Sequence, residues 1–173
     1  GIDSIEDLGG TGAADEDDVL IVSNSATVNA TNIIKFVSTN ASKNEGTANL
    51  TAKSSGGHID MTLSTAGAYT ITGSASTDTL IAGTGNDTIQ ITSAGDGDSD
   101  TMDGGSGSDT LKLASGSNIF SDNNKLKNIE TIVANASGSS VTLTGQSESF
   151  TITGGAGIDT IIGGSGVDTI TGG

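Results

Sequence analysis

Aspartates preceded by glycines recur along this 173-residue chain, and their spacing gives them a clear potential for metal chemistry. The run Gly154–Ile162 is followed at once by Gly163–Thr171, and both read G-G-x-G-x-D-x-U-x, where U is large and apolar. Glycines allow positive φ, so backbone carbonyls can turn towards one point, and the aspartate adds a carboxylate there. A hard cation such as Ca²⁺ requires several oxygens of these two kinds.

Further copies of the pattern lie in the middle of the chain. Gly104–Lys112 is a clean copy, and Gly73–Ile81, Ala82–Gln90 and Gly95–Asp103 are looser ones. Tandem recurrence indicates a cation-binding repeat, although a plain glycine-rich turn remains the alternative for the looser copies. The predicted metal ligands are aspartates and glycines of these copies: Asp78, Asp87, Asp98, Asp100, Asp109, Asp159, Asp168, Gly83, Gly85, Gly105, Gly107, Gly155, Gly157, Gly164 and Gly166.

Short strands must position these loops. Thr usually follows the aspartate and favours a strand, and the U side chain after it is predicted to point into a core. With 27 Gly and only 2% aromatic residues, that core must be thin, one or two side chains wide. The predicted inward residues are Leu80, Ile89, Met102, Leu111, Ile161 and Ile170.

These motifs resemble the RTX (hemolysin-type) calcium-binding nonapeptide repeat over residues 73–112 and 154–173. The resemblance implies an all-β fold, a right-handed parallel β-roll or β-helix solenoid. In that family two nonapeptides make one coil, and Ca²⁺ sits between loops stacked along one edge. The segments between the repeats are similar in style to bacterial surface-layer proteins, in which calcium-loaded blocks alternate with Ser/Thr-rich coils.

If two repeats make one coil, loops from alternate repeats stack. Asp78 should then stack on Asp100, and Asp87 on Asp109. The spacing between Asp87 and Asp100 is longer than nine residues, which predicts an inserted bulge around residues 91–94. Such surface insertions cost little free energy.

The two ends of the chain suggest a longer array. Asp159 and Asp168 fall in consecutive repeats, so they are predicted to lie on opposite edges with stacking partners beyond Gly173. The opening Gly1–Ile5 resembles the back half of a repeat, and placing it after the C-terminus would nearly complete one. Coincidence is the alternative. The predicted partners are therefore calcium ions and either other copies of the chain or the rest of a longer parent chain.

The chain is predicted to form one solenoid with four parts. These are coils with few or no calcium loops (1–72), an RTX block (73–112), coils with a surface excursion (113–153) and a second, incomplete RTX block (154–173). In the first part, alternating apolar and polar residues such as those of 59–63 indicate strands with one buried face. The acidic run Asp15–Asp18 after Gly9–Gly12 is either a solvated turn or a degenerate calcium loop.

Charge and motif content restrict the function. The net charge is −15, from 21 acidic residues against six basic ones, which argues against nucleic acid or an anionic membrane as partner. No stretch is long and apolar enough to suggest membrane insertion. His58 is the single histidine and no catalytic motif accompanies it, so no enzyme is predicted, and His58 is interpreted as an outward strand residue.

Three functions fit these observations. The first is a calcium-binding structural module of a secreted or cell-surface bacterial protein, such as a surface layer, filament or adhesin. The second is the C-terminal secretion and folding tail of an extracellular protease or lipase. The third is an ice- or glycan-binding solenoid, which would need regular T-x-T ranks on one face. The sequence favours the first, because the acidic-apolar secretion signal expected of the second is not seen and the T-x-T motifs are irregularly spaced.

Overall fold

Short strands follow one another around the coils of a solenoid. The computed structural model describes residues 2–6 and 19–173. In chain order the strands are β1 Ile2–Glu6, β2 Ile21–Val22, β3 Thr27–Ile33, β4 Lys35–Val37, β5 Lys43–Asn44, β6 Thr47–Ala52, β7 His58–Asp60, β8 Tyr69–Thr72, β9 Thr79–Ile81, β10 Thr88–Gln90, β11 Thr101–Asp103, β12 Thr110–Lys112, β13 Gly116–Ile119, β14 Leu126–Lys127, β15 Thr131–Val133, β16 Ser139–Thr142, β17 Thr151–Thr153, β18 Thr160–Ile162 and β19 Thr169–Thr171. One short helix, α1 Asp96–Ser99, lies between β10 and β11.

The strands form four parallel sheets. Sheet 1 has nine strands in the order β1-β3-β6-β8-β10-β12-β15-β17-β19, and sheet 2 has five in the order β14-β11-β9-β7-β4. Sheet 3 has the order β13-β16-β18, and sheet 4 pairs β2 with β5. Neighbours within each sheet come from successive coils rather than from hairpins, which is the topology of a parallel β-solenoid. The predicted all-β solenoid is therefore confirmed.

The register of sheet 1 shows how long each coil is. Thr70 pairs with Thr88, and Thr88 with Thr110, so that these two coils contain 18 and 22 residues. The Thr column continues through Thr131, Thr151 and Thr169. Coils of unequal length thus keep their strands in register, because the extra residues lie in the loops.

The core is one layer of apolar side chains between the sheets. The predicted inward residues Leu80, Ile89, Met102 and Leu111 are fully buried, as predicted. Ile161 is partly buried. Ile170 pairs in register with the fully buried Ile152, but it is 49% exposed because β19 is the outermost strand of sheet 1 and no further coil of the described residues covers it.

The longest of these coils accommodates its extra residues as helix α1. Gly97 of α1 lies against the carbonyl of Ile119 and the ring of Phe120, which leaves no room for a side chain. Within the part predicted to contain a surface excursion (113–153), residues 121–124 are exposed, Leu126–Lys127 forms β14, and Phe120 and Leu126 are buried. Within the described residues, no helix has the length and apolar character needed to cross a bilayer.

Candidate calcium-binding loops

A row of carboxylates stands immediately before the strands of sheet 1. Asp87, Asp109, Glu130 and Asp168 each accept a backbone N–H from the preceding coil. The donors are Tyr69 at 2.6 Å, Asp87 at 2.7 Å, Asp109 at 2.7 Å and Phe150 at 3.0 Å, in that order. We refer to these four residues as the sheet-1 row. Each side chain thereby joins two neighbouring coils.

Asp78 and Asp100 occupy the corresponding position before the strands of sheet 2 and form the sheet-2 row. Asp78 Oδ1 accepts the N–H of Gly57 at 2.6 Å, and Asp100 Oδ1 accepts that of Asp78 at 2.8 Å. The predicted stacking of Asp78 on Asp100, and of Asp87 on Asp109, is therefore confirmed. That these carboxylates ligate Ca²⁺ stays a prediction.

The glycine-rich loops before sheet 1 stack directly on each other. Ser106 donates its N–H to the Gly83 carbonyl at 2.9 Å, and Gly85 donates to the Ser106 carbonyl at 2.9 Å. Gly105 and Gly107 adopt φ of 89° and 145°, and a Cβ on either would collide with the carbonyl of Gly83 or Gly85. These glycines therefore let carbonyl oxygens of successive loops pack closely, as the sequence pattern predicts.

Among the residues that the structure describes, two buried carboxylate oxygens have no hydrogen-bond partner. Asp100 Oδ2 and Asp109 Oδ2 accept no hydrogen bond, although the two residues are fully buried. Burial, together with the charges of the nearby Asp78 and Asp96, raises the pKa of Asp100 to about 7 against a favourable hydrogen bond from the Asp78 N–H. Burial likewise raises the pKa of Asp109 to about 6, assisted by Asp87 and Glu130. A bound cation would remove this cost, because it favours the ionised form and supplies the missing partner.

Asp78 differs from Asp100 and Asp109 because both its oxygens are satisfied within the protein. Its Oδ2 accepts the N–H of Ser74 at 2.6 Å and the Ser74 hydroxyl at 3.1 Å. Ser74 stands where the clean repeats have their second glycine. Even so, a Cβ on Gly73 would lie 3.2 Å from Asp78 Oδ2 and 3.5 Å from Asp100 Oδ2, so that the two oxygens face the same small space.

The structure separates Asp98 from the other predicted ligands. Asp98 is exposed and accepts hydrogen bonds from the N–H and the hydroxyl of Ser121, at 2.7 and 3.0 Å. Asp96, which the sequence interpretation left out, is buried at the other side of α1 and accepts the N–H of Ser93 at 2.9 Å. Asp96 and Asp100 are four residues apart around a helical turn, which places them on one face. Burial raises the pKa of Asp96, and the charge of Asp78 adds to the effect.

In the C-terminal repeats, whose coils are shorter, the aspartate carboxylates again accept backbone N–H groups. Asp159 Oδ1 accepts the N–H of Ser139 at 2.8 Å in front of sheet 3. Asp168 Oδ2 accepts the N–H of Gly164 at 2.9 Å within its own loop. A Cβ on any of the predicted glycines would press on backbone of the preceding coil: Gly155 on Asn135, Gly157 on Gly138, Gly164 on Gln146 and Gly166 on Glu148. The acidic run 15–18 and its glycines lie outside the described residues.

Glu130 is the member of the sheet-1 row that sequence analysis missed. A signal was present, because Glu130-Thr131-Ile132 repeats the order acid, Thr, large apolar residue found in every nonapeptide copy. Among the described residues, no three acidic, His or Cys side chains converge closely enough to hold a metal by themselves. The loops fit Ca²⁺ only as mixed sites, in which carboxylates and backbone carbonyls share the ion.

Comparison with known proteins agrees with this geometry. A family model described as RTX calcium-binding nonapeptide repeat, in four copies, matches residues 65–90, 93–120 and 151–173. The matched segments contain all seven predicted aspartate ligands but not Glu130. No significant match was found among the curated proteins or among the solved structures. This chain therefore carries RTX calcium-binding nonapeptide repeats, set into a parallel β-solenoid.

Proposed function

We propose that the chain is a calcium-binding structural module of a secreted or cell-surface bacterial protein, such as a surface layer, filament or adhesin. Calcium drives its folding and its assembly with other copies or with the rest of a longer parent chain. The observation that carries the proposal is the pair of buried, unpartnered oxygens on Asp100 and Asp109, located inside stacked repeat loops. Leaving such carboxylates buried and unpaired is costly unless a cation is bound.

The charge distribution supports an extracellular role for calcium. The net charge of −15 opposes a compact state, and divalent cations held between coils reduce this repulsion. Mixed sites of carboxylates and carbonyls suit affinities on the order of 10⁻⁴–10⁻³ M, which match extracellular calcium rather than cytosolic levels.

Metal counting together with circular dichroism tests this function. We expect equilibrium dialysis to find several Ca²⁺ ions per chain, and we expect the β spectrum recorded in calcium to lose a clear part of its amplitude in EGTA. Binding is coupled to folding because the carboxylates cannot be brought together without the cation. Mg²⁺ at the same concentration is the control and should restore little structure, since it prefers a rigid octahedral site. A full β spectrum in EGTA with no bound metal would contradict the proposal.

A second candidate, binding to ice or to glycans, has one observation in its favour. Six consecutive coils place Thr at one outward position of sheet 1, from Thr70 to Thr169. The neighbouring outward position is irregular, because Gln90, Lys112 and Val133 interrupt the Thr residues there. A flat T-x-T surface is thus present only in part, and the structural module is favoured.

We also propose that the module is not catalytic. His58 lies half-exposed on β7, paired in register with Lys35 and Thr79 of the neighbouring strands. In the part of the chain that the structure describes, the only ion pair joins Lys43 and Glu45, so no carboxylate orients the His58 ring. A general base needs an orienting partner and a nucleophile within hydrogen-bond reach. A panel of esterase, glycosidase and protease substrates should therefore give no turnover above that of His58→Ala.

A further inference from the structure

The sheet-1 row continues beyond the nonapeptide loops, into a coil that the repeat model does not match. Glu130 precedes β15 as Asp87 precedes β10 and Asp109 precedes β12. Its Oε2 accepts the N–H of Asp109 at 2.7 Å, the same distance at which Asp109 Oδ1 accepts the N–H of Asp87. Glu130 therefore takes the next place in the row, with a side chain one methylene longer.

Two oxygens converge on the space beside Gly104, on the side that faces the coil of Glu130. A Cβ on Gly104 would lie 2.7 Å from Asp109 Oδ2 and would collide with the carbonyl oxygen of Asn128. Asp109 Oδ2 is the buried oxygen without a hydrogen-bond partner, on a residue that is 1% exposed. A buried carboxylate oxygen is thus aimed at the carbonyl of the following coil, where no donor meets it.

The backbone of Asn128 is held in the conformation that presents this carbonyl. Its φ is 52°, in the left-handed region that non-glycine residues seldom adopt. Its side-chain amide donates to Asp103 Oδ1 at 2.7 Å, and the same oxygen accepts the N–H of Gly105 at 3.0 Å. Asp103 therefore links the turn Asn128–Glu130 to the loop Gly104–Asp109, next to the two converging oxygens.

The charges around this space are acidic. The carboxylates of Asp87, Asp103 and Glu130 all lie near that of Asp109. Glu130 is exposed at the outer side, which leaves room for water molecules to complete a coordination shell. A hard cation that takes carboxylate, carbonyl and water oxygens together fits these residues, and Ca²⁺ accepts six to eight such ligands.

We propose that Asp109 Oδ2, the Asn128 carbonyl and the Glu130 carboxylate bind one further Ca²⁺ between the loop Gly104–Asp109 and the turn Asn128–Glu130. The inference rests on the proposed function, because it extends the calcium sites of the repeats by one coil. It places an ion at the junction where the nonapeptide block meets the Ser/Thr-rich coils. That ion ties the first coil without glycine-rich loops to the block before it.

Calcium counting on charge-neutral variants tests the site. Glu130→Gln removes the charge but keeps an oxygen that can accept the Asp109 N–H, so the variant should still fold in calcium. Glu148→Gln is the matched control, because Glu148 also accepts a backbone N–H of the preceding coil, that of Asn128 at 3.2 Å, without facing an unpartnered oxygen. Equilibrium dialysis at saturating calcium, with metal measured by atomic emission, should find one ion fewer in E130Q and an unchanged number in E148Q.

An unchanged ion count and affinity in E130Q would overturn the inference, and so would an equal loss in both variants. If the wild-type chain bound no calcium, the proposed function itself would fail, which is a distinguishable result. Should E130Q not fold, anomalous diffraction from crystals of the wild-type chain grown with Tb³⁺ decides. A peak within ligand distance of Asp109, Asn128 and Glu130 supports the site, and no peak there in a crystal with loaded repeat loops overturns it.

Discussion

The coils of residues 19–72 and those of residues 73–112 share the same sheets but bury different polar groups. In the first region the buried polar residues are all neutral: Ser38, Ser42, Asn44 and Ser64. In the second, five buried carboxylates take their place: Asp78, Asp87, Asp96, Asp100 and Asp109. After residue 112 the buried polar residues of the coils are neutral again: Asn118, Ser139 and Gln146. Of these, Asn118 Oδ1 and Gln146 Oε1 accept no hydrogen bond, so that unpartnered oxygens also occur there, but on uncharged amides. One backbone architecture thus has two ways to satisfy the polar groups inside its loops.

The neutral region completes its hydrogen bonds without help. Asn44 donates to the carbonyl of Ala68 at 2.5 Å and accepts the N–H of Gly46 at 3.0 Å. The Ser64 hydroxyl bonds the hydroxyl of Tyr69 at 2.6 Å. The acidic region instead leaves oxygens of Asp100 and Asp109 unpartnered. We infer that each coil depends on a cation separately. The residue before the strand decides whether the polar groups of that coil need a bound cation.

The largest expected effect is a regional response to calcium removal. In EGTA, backbone amides of residues 73–112 should exchange with deuterium at least about a thousandfold faster, which corresponds to ~4.1 kcal/mol of local opening free energy. Residues 20–72 should lose much less protection, because their buried polar groups need no cation. Hydrogen exchange with mass spectrometry measures both regions in one experiment. An equal acceleration in both would show that the two regions unfold as one unit.

A smaller effect is expected from moving a carboxylate into the neutral region. Asn44→Asp replaces the donor to the Ala68 carbonyl by a charged oxygen, and it should destabilise the protein by about 3 kcal/mol because the new charge is buried and unpaired. Added calcium should not rescue it, since the described neighbours of Asn44 are Val22, Ala66 and Ala68, which carry no carboxylate. Urea unfolding in calcium measures the change, with the exposed Asn40→Asp as control. Full rescue by calcium would mean that the neutral coils can also form metal sites.

The smallest expected effect is a pH dependence confined to the acidic region. Without calcium the pKa of Asp100 is raised from 3.8 to about 7 and that of Asp109 to about 6, so the folded state binds more protons than the unfolded state between these values. The free energy of unfolding should therefore increase as the pH falls from 8 to 5, which raises the melting temperature by a few degrees.

Thermal melts of protein freed of metal on a chelating resin measure this dependence. With saturating calcium the rise should shrink, because the ion competes with the protons for the same oxygens. Asp109→Asn should also reduce it, since one of the titrating groups is removed. A melting temperature that falls with acidification in the metal-free protein would show that these carboxyls are not desolvated in the folded state.

The stacking could be predicted because the RTX resemblance implies two repeats per coil, and the spacing of the aspartates then identifies the partners. Asp78 with Asp100, and Asp87 with Asp109, follow from the recurrence of an aspartate before Thr and an apolar residue. The position of the insertion was predicted less well. Ile91, which was expected in a bulge, is buried in the core, and the extra residues form α1 instead. In this helical turn the side chain of Asp96 is buried and that of Asp98 is exposed. Glu130 was missed because no glycines frame it.

The unequal coil lengths described for sheet 1 have a consequence for protein engineering. Coils of 18 and 22 residues keep the Thr column intact, so the loop that contains α1 absorbs added residues without shifting any strand. A foreign peptide grafted after Gly95, which has open space around it, would therefore project from the side of the rod while the strand register is retained. Because Asp96 and Asp100 follow this position directly, a calcium ion bound to them would also hold the C-terminal end of the graft in place. The solenoid could thus serve as a scaffold for displaying peptides, and adding or removing calcium would decrease or increase the mobility of the inserted peptide.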